Sequence, residues 1–589
     1  MGRKLVRTVL LLAIGAVGAT PVAAHNQEPA WLNPEALDDG LYIAVRHPAM
    51  LRSLHPFDIH LLITNVNGDS DVTVRAVRYL GATGVDAQTR RFDYRLDTKR
   101  QWFQEYHSVH ERLEALTGPA ASELGAPLRT RRAELLVQMS AGTLSDRYTV
   151  DPALSRSDSV RVAVEIDLDQ DAGSRTIRKV VDIPIYASLP DGSGTKETLR
   201  YDAETGAMTR TADLAAPAGS GDLWYAGDQH LHTQYSVDAY FTNGNRSNVA
   251  DYAAVAQSTG LDWIVVTDHG NIDFGLLGNN WYTPQQYAAG TNEAAQYRAQ
   301  TGFLVFNGQE LGAGAGDPSH VLAYPKSSDS TGFLPNPCSG GLFGHQNCEP
   351  EQTILDRVNG AGGIPFIAHP FQSSGGFFSP WDFNNGVTGW AGFEIFNAGD
   401  GVLTGADRQA ILKWLQLLND VAAPVGGELP LRDDFPTKFP VGLGNSDAHE
   451  PGLIGNTFTY CESPAASREA IMDSLAEGRC VASNGPLAFM EVDGFGPGQV
   501  APLSTEGNTL SITIQSTPEF GAAGSFSVLL FVNGAQAAVL QPSGSPEFST
   551  TTVFEDVVIG GSARYIVVIA VAPSGRLSIA NPVWLEPSG

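Results

Sequence analysis

Two periodicities divide the chain. Between residues 40 and 190 apolar and polar residues alternate, as in Asp58-Ile59-His60-Leu61-Leu62-Ile63-Thr64 and Val160-Arg161-Val162-Ala163-Val164-Glu165-Ile166. Successive side chains of an extended strand point to opposite faces, so these runs, bounded by Asn-Gly and Asp-rich turns, predict a β-sandwich. Polar segments with helical character interrupt it between residues 97 and 140, among them Trp102-Phe103-Gln104-Glu105-Tyr106 and Arg132-Ala133-Glu134-Leu135-Leu136. A stretch rich in Gly, Ala and Pro, from Ala215 to Gly221, predicts a linker.

Past the linker the pattern changes. Short apolar strands at Leu261 to Val266, Phe303 to Phe306, Gly363 to Ala368, Gly392 to Phe396 and Val441 to Leu443 alternate with helical stretches near residues 247–258, 285–300, 351–361, 405–420 and 466–477. That alternation predicts parallel βα units. From about residue 487 the helical pattern stops, and segments around Leu510 to Ile514, Phe526 to Val532 and Tyr565 to Val571 predict a second sandwich. The chain reads as multidomain: an N-terminal β-rich domain over residues 25–214, an α/β domain over 222–485 and a C-terminal β-sandwich over 486–589. A length of 589 residues suits such a division, at about 100 to 200 residues per domain.

The first 24 residues carry Arg3, Lys4 and Arg7, then an apolar run from Val9 to Ala19, then Pro21-Val22-Ala23-Ala24. This is the layout of a secretory signal peptide, and the run is shorter than the roughly 20 apolar residues a membrane span needs. The expectation is export to a periplasmic or extracellular compartment, with no membrane span in the mature form. Acidic residues outnumber basic ones 64 to 37, and the net charge of −27 opposes attraction to nucleic acid. The four cysteines fall as two local pairs, Cys338 with Cys348 and Cys461 with Cys480, without the CxxC spacing of a zinc knuckle. An oxidising compartment permits two disulfides, and the expectation is a Cys338–Cys348 bond that fixes a glycine-rich loop over the functional site.

Candidate chemistry lies at the ends of the central strands, where α/β barrels carry their active residues. In chain order stand Asp228-Gln229-His230-Leu231-His232-Thr233, Thr267-Asp268-His269, Glu310, His320, Ala368-His369-Pro370 and Ser446-Asp447-Ala448-His449. Six of the thirteen histidines occupy these positions. His230 and His232 project to one face of an extended strand, as do Asp447 and His449, and Glu310 has two oxygens with which to bridge two cations. Imidazole with carboxylate and no thiolate suits zinc, iron or manganese, and more than one ion is implied. His107 and His110 lie three apart but without a zinc-protease carboxylate, and read as exposed helix histidines. No GxSxG elbow or P-loop is present.

The ordered set GDxHxHT, TDH, Glu, HVL, AHP and SDAH resembles the PHP superfamily, named for polymerase and histidinol phosphatase, over roughly residues 222–485. Glu394-Ile395-Phe396-Asn397 is similar to the EIxN strand of these proteins. Asn484-Gly485-Pro486, Val492-Asp493-Gly494 and the segment Ser578 to Trp584 resemble the secreted CehA/McbA-like, carbaryl-hydrolase-related branch. The resemblance implies a distorted (β/α)7 PHP barrel holding two or three divalent transition metal ions: zinc, manganese or iron. It implies that His230, His232 and Asp447 bind a first ion, that Glu310 bridges, and that His320 and His369 bind a second. His269 and His449 would serve a third ion or hold substrate. Where many members have Ser-Asp-Gly, this chain has Ser236-Val237-Asp238-Ala239, closer to the Ser-x-Asp form, which enters Asp238 among the metal ligands.

The expected function is an exported metal-dependent hydrolase acting on a small-molecule substrate, foremost a phosphoesterase using a metal-bridged hydroxide. The same centre serves carboxylic esters, amides or carbamates, and a non-enzymatic exported binding protein with a metal-stabilised barrel is a third reading. Asp268 or His449 would move the proton. Arg246, Lys326 and Arg357 are the cations available as a phosphate clamp, with surface charge as the plainer reading of each. The oligomeric state stays open.

Overall fold

A computed structural model describes residues 37–587 except 49–50, 52–55, 81–85, 116–126, 152–158, 186–197, 203–206, 212–222, 242–244, 271–272, 275–278, 339–347, 374–377, 422–438, 505–507, 543–548, 558–563 and shorter gaps. The signal-like leader, the linker and the loop enclosed by Cys338 and Cys348 lie outside the described residues.

The N-terminal region forms two antiparallel sheets. One orders Leu37–Asp38, Leu41–Arg46, Phe57–Asn65 and Leu144–Val150; the other orders Asp86–Leu96, Val72–Leu80, Ser159–Gln170 and Gly173–Pro184. The period-two pattern explains their core: Ile59, Leu61 and Ile63 of one sheet are buried with Val160, Val162, Val164 and Ile166 of the other. A helix, Arg100–Glu114, buries Phe103, Tyr106 and Val109 along one stripe in a satellite core. His107 stacks edge-on against Phe103 and Tyr106 there.

The central region is a succession of strands. β1 (Leu223–Asp228), β2 (Trp263–Val266) and β3 (Leu304–Asn307) pair in parallel. After one residue β4 (Gln309–Ala313) begins, and β4, β5 (Ser319–Pro325) and β6 (Gly363–Ile367) pair antiparallel. β7 (Gly392–Asn397) and β8 (Val441–Asn445) return to parallel pairing. The two sets are joined where their ends meet. Glu310 N donates to the Asp268 carbonyl at 3.2 Å on one side, and His232 N donates to the Ala448 carbonyl at 2.9 Å on the other. Strand succession therefore runs in a ring from β1 round to β8 and back. Helices α1 (Val249–Ser258), α2 (Pro284–Thr301), α3 (Glu351–Gly360) and α4 (Gly405–Val421) join and cover the strands. Both α1 and α2 begin with a capping box, Asn248 with Asp251 and Thr283 with Gln286.

The sheet does not stop at the expected boundary near residue 486. β9 (Phe458–Ser463) pairs with β1, β10 (Cys480–Ser483) pairs with β9, and β10 pairs in turn with Leu577–Ala580. Through that strand the sheet continues into Tyr565–Val571, Ser527–Val532 and Ala535–Leu540 as one eleven-stranded surface. A three-stranded sheet, Leu487–Val492, Asn508–Gln515 and Ser549–Val557, shares its core, where Phe489 packs on Trp224 of β1 with ring centroids 4.8 Å apart. Asn581 brackets Gly442 of β8, accepting from its N at 2.8 Å and donating to its carbonyl at 3.0 Å. The chain is thus multidomain and sheet-rich, with its C-terminal strands fused to the central sheet. Among the described residues no helix is long and apolar enough to cross a membrane.

Candidate metal centre

The ring delivers its polar residues at one end. β1 stops at Asp228, and the extended segment after it carries His230 and His232 past the end of β8. Glu310 lies in β4, and His320 lies in β5 opposite Gly312. His369 and Asp447 follow the ends of β6 and β8 with φ of 23° and 53°. Left-handed backbone is unusual for residues with a Cβ and collects at functional sites, where it re-aims a side chain that regular strand geometry would send elsewhere.

Glu310, fully buried, is the hub. Its Oε1 faces His320 Nδ1 at 2.8 Å and His369 Nε2 at 3.1 Å. Its Oε2 faces His269 Nδ1 at 3.0 Å and Nε2 of both His230 and His232 at 3.3 Å. Asp447 Oδ1 lies 3.3 Å from His230 Nε2 and 3.2 Å from His232 Nε2. Burial opposes ionisation of Glu310, but His320, His230 and His269 outweigh it and hold the carboxyl well below its ordinary range. A divalent cation neutralises such carboxylates while leaving the imidazoles neutral and able to donate lone pairs. The fit to metal is direct: His230 Nε2 and Glu310 Oε2 are buried, point at one another and have no hydrogen-bond partner.

Outer residues fix the tautomers. His230 Nδ1 donates to Glu394 Oε1 at 2.8 Å, and Glu394 also accepts from Asn445 Nδ2 at 2.7 Å, Asn397 Nδ2 at 2.7 Å and the His369 N at 2.6 Å. His232 Nδ1 donates to Ser236 Oγ at 2.8 Å, which itself donates to Asp268 Oδ1 at 2.9 Å. In both histidines Nε2 is thereby left as the acceptor atom aimed at Glu310 and Asp447.

A further group stands toward the mouth. Asp238 Oδ2 lies 3.0 Å from His269 Nε2 and 2.8 Å from His449 Nε2. Burial works against an imidazolium at His449, but Asp238, with Asp447 behind it, overrides this and lifts its pKa to about 9. Among the described residues four sets of side chains are close enough to hold a cation: His230, His232 and Glu310; His230, His369 and Asp447; His269, Glu310 and His320; and His232, Asp238, His269 and His449. Phe378 packs beside the second and third sets, with its ring 4.7 Å from His369 and 5.3 Å from His320.

The structure thus brings His230, His232, Asp238, His269, Glu310, His320, His369, Asp447 and His449 into one cluster. Asp268 lies beside it in another role. Its carboxylate accepts from Thr233 N at 2.7 Å, Thr233 Oγ1 at 2.8 Å and Ser236 Oγ at 2.9 Å, so it braces the His232 segment. Glu394 and Ser236 are the site residues that sequence reasoning left without a role; the EIxN motif carried the signal for Glu394. His107 and His110 join no such group among the described residues. The three cations available as a clamp are engaged elsewhere, in keeping with the plainer reading of each as surface charge. Arg246 covers the Tyr240 ring at 3.4 Å, Lys326 Nζ is 3.8 Å from Asp473 and Arg357 pairs with Glu349.

Both cysteine pairs are disulfides. Cys461–Cys480 links cross-strand partners of β9 and β10. Cys338–Cys348 packs on Gly312, where a Cβ would lie 2.7 Å from Cys348 Sγ. That glycine stands between Glu310 in sequence and His320 across the ladder, so the bond presses on the strand pair that carries both.

Comparison with solved structures finds a two-domain protein from Bacteroides vulgatus containing a predicted PHP-like metal-dependent phosphoesterase. It is 14% identical, with 64% of this chain and 99% of that one covered at a TM-score of 0.34. A β-glucuronidase from Parabacteroides merdae is 8% identical over 93% of this chain and 65% of that one, at a TM-score of 0.18. At these scores neither carries an argument. No curated protein sequence matches the chain. Residues 441–480, which include β8, Asp447, His449 and β9, match the family model described as PHP-associated.

Proposed function

We propose that the chain is an exported metal-dependent hydrolase whose ring of strands is a distorted (β/α)7 PHP barrel, and that phosphate esters are its first substrate class. The observation that carries the reading is Glu310, whose two oxygens face five imidazoles, with His230 Nε2 and Glu310 Oε2 buried and without a hydrogen bond of good geometry. His230, His232 and Asp447 would hold one ion, His320 and His369 a second, and Asp238, His269 and His449 a third, with Glu310 bridging. When bound, divalent zinc, manganese or iron supplies Lewis acidity and an acidified water.

The chain's own residues do the rest. Glu394 and Ser236 hold His230 and His232 in the tautomer that presents Nε2. Asp268 is a positioning residue, its oxygens committed to Thr233 and Ser236. Of the two proton carriers expected from sequence, His449 is the one whose ring nitrogen faces the mouth, its Nε2 beside Asp238 Oδ2 at 2.8 Å. Asp238 is partly exposed, with 26% of its side chain accessible, which marks the side of entry.

A second reading has its own support. Arg246, Lys326 and Arg357 all point their charge at other partners, and Phe378 lies against His320 and His369. An uncharged aryl ester or carbamate needs no cationic clamp, and the resemblance of Asn484-Gly485-Pro486 and of the Asn581 segment to the CehA/McbA-like branch agrees with it. Two disulfides and the leader pattern support export.

The deciding experiment strips the mature protein of metal, restores zinc, manganese or iron singly, and assays aryl phosphate monoesters and diesters, carboxylic esters and carbamates. Turnover of a phosphate ester above all others upholds the first reading. Turnover confined to esters or carbamates replaces it with the second, and full activity without metal removes both.

A further inference from the structure

One row of side chains crosses the N-terminal sheet that meets the central ring. Arg46 stands opposite His60 in the strand ladder, and His60 stands opposite Arg147. Each reaches a different residue beyond its own domain. The Arg46 guanidinium pairs with Glu450, His60 Nε2 lies 3.3 Å from Ser247 Oγ, and Arg147 pairs with Asp251 while its Nε lies 3.3 Å from Asp58. The contact is close: His60, Ser247 and Asp251 are all buried, and a Cβ on Gly452 would meet the His47 carbonyl oxygen at 2.7 Å.

The three residues reached all adjoin the metal cluster. Glu450 directly follows His449. The Ser247 N donates to Asn245 Oδ1 at 2.9 Å, and Asn245 Nδ2 donates to the carbonyls of His232 and His449, both at 3.1 Å. Asp251 precedes Tyr252, whose hydroxyl donates to the His232 carbonyl at 2.6 Å. The row therefore ends, three times over, one residue or one side chain away from the backbone of His232 or His449.

His449 needs that support more than its neighbours do. His230 and His232 are oriented by Glu394 and Ser236, whereas His449 Nδ1 donates at 2.9 Å to the carbonyl of Asp447 in its own turn. Its ring direction follows the position of the 447–450 loop. That loop is what Arg46 grips.

We propose that the N-terminal domain is a positioning part of the metal centre: the Arg46, His60, Arg147 row sets the backbone of His232 and His449 so that the Asp238, His269, His449 group holds its ion. The proposal rests on the metal reading above and adds to it a role for a domain remote from the chemistry. Outer partners of metal ligands contribute about 10- to 100-fold in affinity, and the same range is expected here, confined to one ion of the set.

The test uses the full mature chain with Arg46→Met, Glu450→Gln and the conservative Arg46→Lys. Zinc content is measured across graded zinc buffers, with cobalt(II) absorption as a second readout and thermal melting as a check on folding. The expected result is an affinity lower by about 10- to 100-fold for one ion per chain in Arg46→Met and Glu450→Gln, unchanged affinity for the others, and recovery in Arg46→Lys. Parent-like affinity for every ion in both folded variants overturns the proposal and leaves the metal reading standing. Loss of all ions together with a collapsed melt also overturns it, by showing a structural role only. Failure of the parent to bind any divalent ion overturns the metal reading itself. Glu450→Gln, at a side chain 33% exposed, keeps the test open should Arg46→Met fail to fold.

Discussion

His230 Nδ1 meets Glu394 Oε1 at 2.8 Å across 164 residues of sequence, which ties the first histidine of the cluster to the far side of the ring. Glu394 reaches no candidate ion itself. It decides which nitrogen of His230 is free and, through the His369 N, where His369 sits.

Glu394→Gln should therefore leave the fold in place and weaken the tightest ion by about 10- to 100-fold, since an amide can no longer accept all four hydrogen bonds. Competitive chelation followed by elemental analysis measures this. Parent-like affinity would show that Glu394 serves packing alone.

Glu310→Gln keeps the shape of the hub and removes its charge. The variant should retain fewer ions per chain than the parent and lose at least about 100-fold in turnover, as removal of a single electrostatic group at a reacting centre commonly does. Unchanged metal content and rate would make Glu310 a structural acid.

Exhaustive chelation should abolish hydrolysis, and zinc, manganese or iron should restore it. Metal content confirmed below stoichiometry with activity intact would sink the mechanism.

The Cys338–Cys348 bond closes a short loop, and its removal as Cys338→Ser with Cys348→Ser should cost about 2 to 3 kcal/mol through greater freedom of the unfolded chain. Because the pair rests on Gly312, between Glu310 and His320, the Michaelis constant should shift as well while every ligand stays present. Denaturant melts with kinetics on the same preparation test both, and peptide mapping of the unreduced protein comes first.

Lys99 offers a pH test away from the centre. Its ammonium is buried, donates to Thr64 Oγ1 at 3.2 Å and the Met139 carbonyl at 2.7 Å, and burial lowers its pKa to about 8. Between pH 8 and the ordinary lysine value the unfolded chain binds more protons than the folded one, so stability should rise with pH across that window. The gain approaches roughly 3 kcal/mol at most. Lys99→Met should flatten the rise, and a slope identical in parent and variant would assign it to other groups.

The strand-end cluster was legible because each motif encodes its own geometry. A histidine pair two apart on an extended segment needs no knowledge of the rest of the chain to be seen as two donors on one face. The helices were legible through periodicity: 285–300 and 405–420 were expected, and Pro284–Thr301 and Gly405–Val421 are observed. What escaped depends on pairing at a distance. The separate roles of Asp268 and His269, adjacent in sequence, follow from Ser236 arriving between them. Strand ends were expected at Glu310 and His320, but the bounds of Gln309–Ala313 and Ser319–Pro325 could not be read, because their fully buried residues show no alternation. The merging of the C-terminal strands with the central sheet rests on β10 meeting Leu577–Ala580, a contact no local pattern announces.

That merging has a consequence for how the protein is made. During synthesis the ring strands leave the ribosome well before residues 577–587, yet β10 presents an open edge until Leu577–Ala580 arrives, and Gly442 lacks Asn581 until the same moment. Until then the nascent chain exposes the open edge of an apolar strand beside a half-braced cluster of histidines and acids, the condition under which chains pair wrongly with one another. Loss of those last strands should accordingly appear as insoluble product in the cell before any assay of catalysis is possible.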